Sequence, residues 1–79
     1  MRKSAHTRAY KVLCERLVAA RHAAGLSQQQ VADKLGRPQS FIAKYEAGER
    51  RIDLVELLQL SKLLGFDEKR LLQAVKAEL

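Results

Sequence analysis

Apolar residues recur three and four positions apart along nearly the whole chain, the spacing of α-helices that each bury one stripe. From residue 7 to residue 24 they fall at Tyr10, Leu13, Cys14, Leu17, Ala20 and Ala24, while Arg8, Lys11, Glu15, Arg16 and His22 take the opposite side. Gly25 ends this first predicted helix. The second opens on a capping box, with Ser27 as N-cap and Gln30 three residues on, and Leu26 and Val31 placed for a hydrophobic staple. It turns Val31, Ala32 and Leu35 inward and stops at Gly36. The third follows Gly36-Arg37-Pro38, with Pro38 tolerated in a first turn where its missing N–H had no partner. It runs through about Ala47, with Ile42, Tyr45 and part of Phe41 inward and Gln39, Ser40, Ala43 and Lys44 outward. The fourth has Asp53 and Glu56 as its capping box, Leu54, Leu57, Leu58 and the leucines of 60–64 as its apolar positions, and Gly65 as its stop. The fifth starts at Asp67 and runs to the C-terminus on a stripe of Leu71, Leu72, Val75 and Leu79. No segment alternates with period two. The pattern predicts an all-α fold: five short helices in one compact domain spanning residues 1–79.

Charge narrows the choice of partner. The chain has 15 Lys and Arg against 9 Asp and Glu, a net charge of +6. Residues 1–51 carry a net +7 and residues 52–79 a net −1, so an anion-binding face belongs in the first two thirds. A basic excess on a small domain suits a polyanion, either nucleic acid or an anionic membrane surface. No apolar run approaches the ~20 residues of a membrane span, and Met1-Arg2-Lys3-Ser4 is not followed by the apolar stretch of a signal peptide. These features point to a cytoplasmic protein that does not use a membrane. The lone Cys14 sits on the core stripe as a small buried hydrophobe, and it allows no disulfide framework within one chain. His6 and His22 lack ligand-type neighbours, so neither metal nor other cofactor is expected. The chain is too short for a catalytic cleft beside a core, and it shows no nucleophile–base pair and no Gly-rich phosphate loop. An enzyme is therefore disfavoured.

The informative stretch is 28–47: two short helices joined by a tight turn. Ala32 supplies a small side chain where the two helices come closest, and Gly36 supplies the turn. Ile42 and Tyr45 anchor the second helix, leaving Gln39, Ser40, Ala43 and Lys44 free to meet base edges in a major groove. The run Arg21-x-x-x-Gly25-Leu26-Ser27-Gln28-x-x-Val31-Ala32-x-x-Leu35-Gly36, continued by Pro38-Gln39-Ser40-Phe41-Ile42-Ala43-Lys44-Tyr45-Glu46-x-Gly48-Glu49-Arg50-Arg51, resembles the Cro/cI-type phage-repressor helix-turn-helix family, also called the Xre family. The resemblance covers about residues 10–75.

It implies a lambda-repressor-like five-helix fold that places its third helix in the major groove and binds two half-sites as a homodimer. It assigns base reading to Gln39, Ser40 and Lys44, with Ala43 a less regular contact. Gln28 matches a phosphate-binding position, with Ser27 beside it at a helix start whose N–H groups attract anions. Arg50 and Arg51 match the loop near the phosphates, while Arg37 in the turn meets either phosphate or water. Arg21 and Glu46 match a structural ion pair; Leu71, Leu72, Val75 and Leu79 either pack inward on their own domain or, with the adjoining end of the fourth helix, form the dimer interface that the resemblance favours. The pattern departs at Pro38, where many relatives place a Ser or Thr cap; the cap bond is lost and the register of the third helix is open to a shift of one. Arg2, Lys3 and Arg8 form either a mobile basic arm, within residues 1–6 and just after, or a frayed end.

The expected function is sequence-specific binding of double-stranded DNA by a transcriptional regulator, a repressor on a palindromic operator whose half-site centres lie ~34 Å apart. The alternative is a protein-interaction module, such as the antitoxin of a toxin–antitoxin pair. A protein-docking third helix would expose apolar area, whereas this one offers Gln39, Ser40, Ala43 and Lys44.

Overall fold

A computed structural model describes residues 7–79; Arg2, Lys3 and His6 lie outside the described residues. Within them the chain forms α1 (Arg8–Ala23), α2 (Gln28–Leu35), α3 (Gln39–Glu46), α4 (Leu54–Leu64) and α5 (Glu68–Lys76), with no strand. Each start has a local cause. The Thr7, Ser27, Asp53 and Asp67 side chains accept from the backbone N–H groups of Tyr10, Gln30, Glu56 and Lys69, and the capping boxes at Ser27 and Asp53 are both complete. The end of α2 fixes the entry into α3. Gly36 adopts φ 69° and the Arg37 amide donates back to the Ala32 carbonyl at 3.0 Å, closing a Schellman turn that reverses the chain.

α2 packs on α3, and α1 packs on both α3 and α5. Leu17, Val31, Ala32, Ile42, Tyr45 and Leu60 are all fully buried in one core, joined by Phe41, Leu57 and Leu71. Ala32 at zero exposure is the small residue that lets α2 and α3 approach. The inner face of α3 is thereby committed to packing, which turns its remaining face to solvent.

Several positions differ from the sequence expectation, each for a geometric reason. Ala9 is buried at the start of α1, whereas Ala24 is the exposed C-cap, already past the last turn. Pro38 is the N-cap of α3 with ψ 149° and no side-chain cap bond, so the helix begins at Gln39. α4 buries Leu57 and Leu60 but leaves Leu54, Val55 and Leu58 exposed, because the 3.6-residue period brings only one stripe to the core. α5 stops at Lys76. Its Leu71 packs into the chain's own core and Val75 lies against that core, while Leu72 and Leu79 are exposed. Leu71 is thus already occupied within the monomer. Arg8 lies in the first turn of α1 and pairs with Glu78 at 3.2 Å.

Candidate nucleic-acid interface

At about 100° per residue, Gln39, Ala43, Ser40 and Lys44 span the outer arc of α3 in that order around the helix. Gln39, Ser40 and Lys44 are exposed and Ala43 is half-buried. Glu46 lies just beyond the Gln39 edge of this arc and Phe41 just beyond the Lys44 edge. Each edge carries a polar cluster.

On the Gln39 side the Glu46 carboxylate is gripped by Arg21, Nε to Oε2 at 2.7 Å and Nη2 to Oε1 at 3.1 Å. Arg21 also donates to the Leu26 carbonyl at 2.9 Å, tying α1 to the entry of α2. Its hydrogen bonds to Glu46 raise the guanidinium pKa further above an already high value. Gln28 Nε2 donates to Glu46 Oε1 at 2.9 Å, and Gln39 Nε2 donates to Gln28 Oε1 at 2.6 Å. The direction of this relay is forced. An ionised carboxylate only accepts, so Gln28 must turn its NH2 toward Glu46 and its carbonyl toward Gln39. Gln39 therefore gives one N–H to the relay, leaving its carbonyl oxygen and its second N–H outside it on an exposed side chain. An amide with both groups available can meet the N6–H donor and N7 acceptor of adenine in a major groove.

On the Lys44 side Phe41 is buried beneath two guanidinium groups, with the Cζ atoms of Arg37 and Arg50 at 4.4 and 4.6 Å from its ring centroid. Both cations meet the buried Glu56 carboxylate: Arg37 Nη2 at 2.8 Å on Oε2, Arg50 Nη1 at 3.1 Å on Oε1 and Nη2 at 3.3 Å on Oε2. The Asp53 amide also donates to Oε1 at 2.9 Å. Burial pushes the Glu56 carboxyl upward, but the Asp53 amide and the guanidinium groups of Arg50 and Arg37 outweigh it and hold the group below the usual carboxylate range. The loop that carries Arg50 is fixed from α1, where the Tyr10 hydroxyl donates to the Arg50 carbonyl at 2.5 Å. Burial above all raises the Tyr10 phenol to about 12, so it stays a donor at any ordinary pH.

A helix-turn-helix domain family matches residues 12–74. A solved structure of an XRE-family like protein from Pseudomonas syringae pv. tomato str. DC3000 superposes with a TM-score of 0.78 at 42% identity, covering 87% of this chain and 84% of that one. The chain is a member of the XRE family of helix-turn-helix proteins. Among its curated relatives is the SPbeta prophage-derived uncharacterized HTH-type transcriptional regulator YonR of Bacillus subtilis (strain 168), 41% identical over 64 residues. That match covers 81% of this chain and 59% of the relative's length.

Within this XRE-family domain the residues singled out from sequence fall into three groups. Gln39, Ser40 and Lys44 share one exposed face, with Ala43 between them. Gln28 is drawn into orienting Gln39, while the Ser27 hydroxyl and amide are spent on the capping box with Gln30. Arg37 and Arg50 are coupled through Glu56, and the neighbouring Arg51 side chain is exposed while its carbonyl accepts from Arg50. Sequence reasoning assigned Glu56 only a capping role. The missed signal was its register: Glu56 lies one turn before Leu60 on the buried stripe, where a carboxylate needs a cationic partner.

Proposed function

We propose that this chain is a transcriptional regulator that binds double-stranded DNA sequence-specifically, laying α3 in the major groove. The observation that carries the reading is the exposed Gln39 amide, anchored through Gln28 to Glu46. Gln39, Ser40 and Lys44 read base edges, with Ala43 close to the groove floor. The start of α2 at Ser27 and Gln28, and the cations Arg37, Arg50 and Arg51, position the backbone. The 41% identity to a transcriptional regulator supports the same assignment. Neither cofactor nor catalysis enters this reading.

The regulator acts as a homodimer on a palindromic operator and represses by blocking polymerase. With Leu71 in the core, the large apolar side chains left exposed among the described residues are Leu72 and Leu79 of the C-terminal segment and Leu54, Val55 and Leu58 of α4. A protein partner of another kind would dock on the same α4 side chains, which is the second reading. Sedimentation equilibrium separates the two: a dimer that Leu58→Glu or Leu72→Glu splits supports the first, and a strict monomer at all concentrations favours the second. DNA reading is tested by Gln39→Ala. It should weaken the preferred site by about 1–3 kcal/mol and relax one base position, whereas equal weakening on all sequences would remove Gln39 from the readers.

A further inference from the structure

The cluster on the Gln39 side of α3 serves base reading, but the one on the Lys44 side has no part in it. Its construction is unusual for a purely structural contact. Two cations share one carboxylate and one aromatic ring, and each arginine side chain stays 39% exposed while the Glu56 side chain is 7% exposed. Burial by itself disfavours a carboxylate, and here the Asp53 amide and the two guanidinium groups offset that cost. The cap of α4 needs only an acceptor at position 56, whereas the negative charge there also gathers two guanidinium groups. The guanidinium groups in turn are held between the Phe41 ring and the Glu56 carboxylate while their side chains stay partly open to solvent.

We propose that Arg37 and Arg50 grip a single DNA backbone phosphate as one two-pronged site, and that Glu56 is the positioning residue that sets them for it. This rests on the DNA-binding reading. A helix lying in the major groove has a phosphate strand along each side, and the cluster borders the outer arc of α3 beyond Lys44. Two guanidinium groups against one carboxylate leave a net positive charge, and planar arginine forks suit phosphate oxygens. The inference adds two things: the two arginines act on the same phosphate, and a negatively charged residue improves the binding of a polyanion.

Glu56→Gln separates positioning from simple charge. Glutamine keeps an acceptor for the Asp53 amide, so the cap of α4 survives, while the protein becomes more positive by one. Charge alone predicts tighter binding to any duplex; positioning predicts binding weaker by roughly threefold to tenfold. Affinity is measured by fluorescence anisotropy on a short duplex recovered by selection, or on a random-sequence duplex if selection enriches nothing, with thermal melting of each variant in parallel. A second measurement stands even if Glu56→Gln fails to fold. Phosphates of the duplex are replaced one at a time by neutral methylphosphonate, and wild type, Arg37→Ala and Arg50→Ala are titrated against the set. Both variants should bind the unmodified duplex roughly tenfold more weakly and should lose their sensitivity at the same single phosphate. Arg50→Lys should not restore it, because the ammonium lacks the planar fork. If Glu56→Gln folds and binds as tightly as wild type or tighter, or if the two arginine variants lose sensitivity at different phosphates, the shared site is wrong while DNA binding stands. If the wild type binds no duplex at all, the DNA reading falls and the inference with it.

Discussion

The relay from Glu46 through Gln28 to Gln39 makes a quantitative demand on DNA binding. Gln28→Ala removes no predicted base contact, yet it takes away the bond that holds the Gln39 amide at 2.6 Å. One such side-chain hydrogen bond is worth about 0.5–1.5 kcal/mol net. A glutamine freed from its anchor must be ordered at binding instead, at up to about 1.5–2 kcal/mol. Gln28 and Gln39 should therefore couple by about 1 kcal/mol, a factor of about five in affinity. Gln39→Ala alone should cost about 1–3 kcal/mol, Gln28→Ala about 1 kcal/mol plus any direct phosphate contact, and the double variant about 1 kcal/mol less than their sum. The assay is a double-mutant cycle, with anisotropy titrations of four proteins on the selected duplex and on one with the Gln39-read base pair exchanged. On the exchanged duplex the coupling should vanish. Costs that add to within about 0.3–0.5 kcal/mol on the preferred site would mean that the relay does not orient Gln39 for reading.

Glu46→Ala strands the Arg21 side chain, only 11% exposed, without its carboxylate; it should cost about 2–4 kcal/mol in urea unfolding, and a loss under about 0.5 kcal/mol would demote the pair to a surface contact. Tyr45 is fully buried and its hydroxyl has no hydrogen-bond partner among the described residues. Tyr45→Phe should therefore stabilise the fold by about 1 kcal/mol, raising Tm by about 4–8 °C, and a lower Tm would show that the hydroxyl contributes to the fold. The Glu56 carboxyl is held below its unfolded value, so it stabilises at neutral pH and that contribution drains away as pH falls below the ordinary glutamate range near ~4.3. Glu68, lowered by the Ser61 hydroxyl, shares this direction. Urea midpoints taken from about pH 6 down to about pH 3 should fall less for Glu56→Gln than for wild type, and parallel curves would contradict the assignment.

Much of this was legible in the chain because local chemistry decides it. Ser27 with Gln30 and Asp53 with Glu56 announce two helix starts by backbone bonding alone, and Gly36 announces the turn between α2 and α3. Ile42 and Tyr45 point to the inner face of α3, and through it to the outer arc, by periodicity. What stayed hidden depends on neighbours distant in sequence. Nothing local distinguishes a solvated Arg37 from one held by Glu56, nineteen residues away. Leu71 and Leu72 look alike on a stripe, and only the packing of α5 on α1 decides which is covered. Phe41 looked half-exposed because its lid is two cations, one of them from the loop after α3. Gln28 was assigned to phosphate, and its bridge between Glu46 and Gln39 emerges only when three helices are brought together.

The central claim is that the outer face of α3 reads sequence, and selection from a pool of random DNA duplexes at near-physiological salt tests it most directly. Wild type should enrich a palindrome with half-site centres about one helical turn apart, ~34 Å, and Gln39→Ala should relax one position in each half-site. No enrichment, with only weak binding that collapses as salt rises, would contradict the account and leave a basic domain whose recognition partner is a protein.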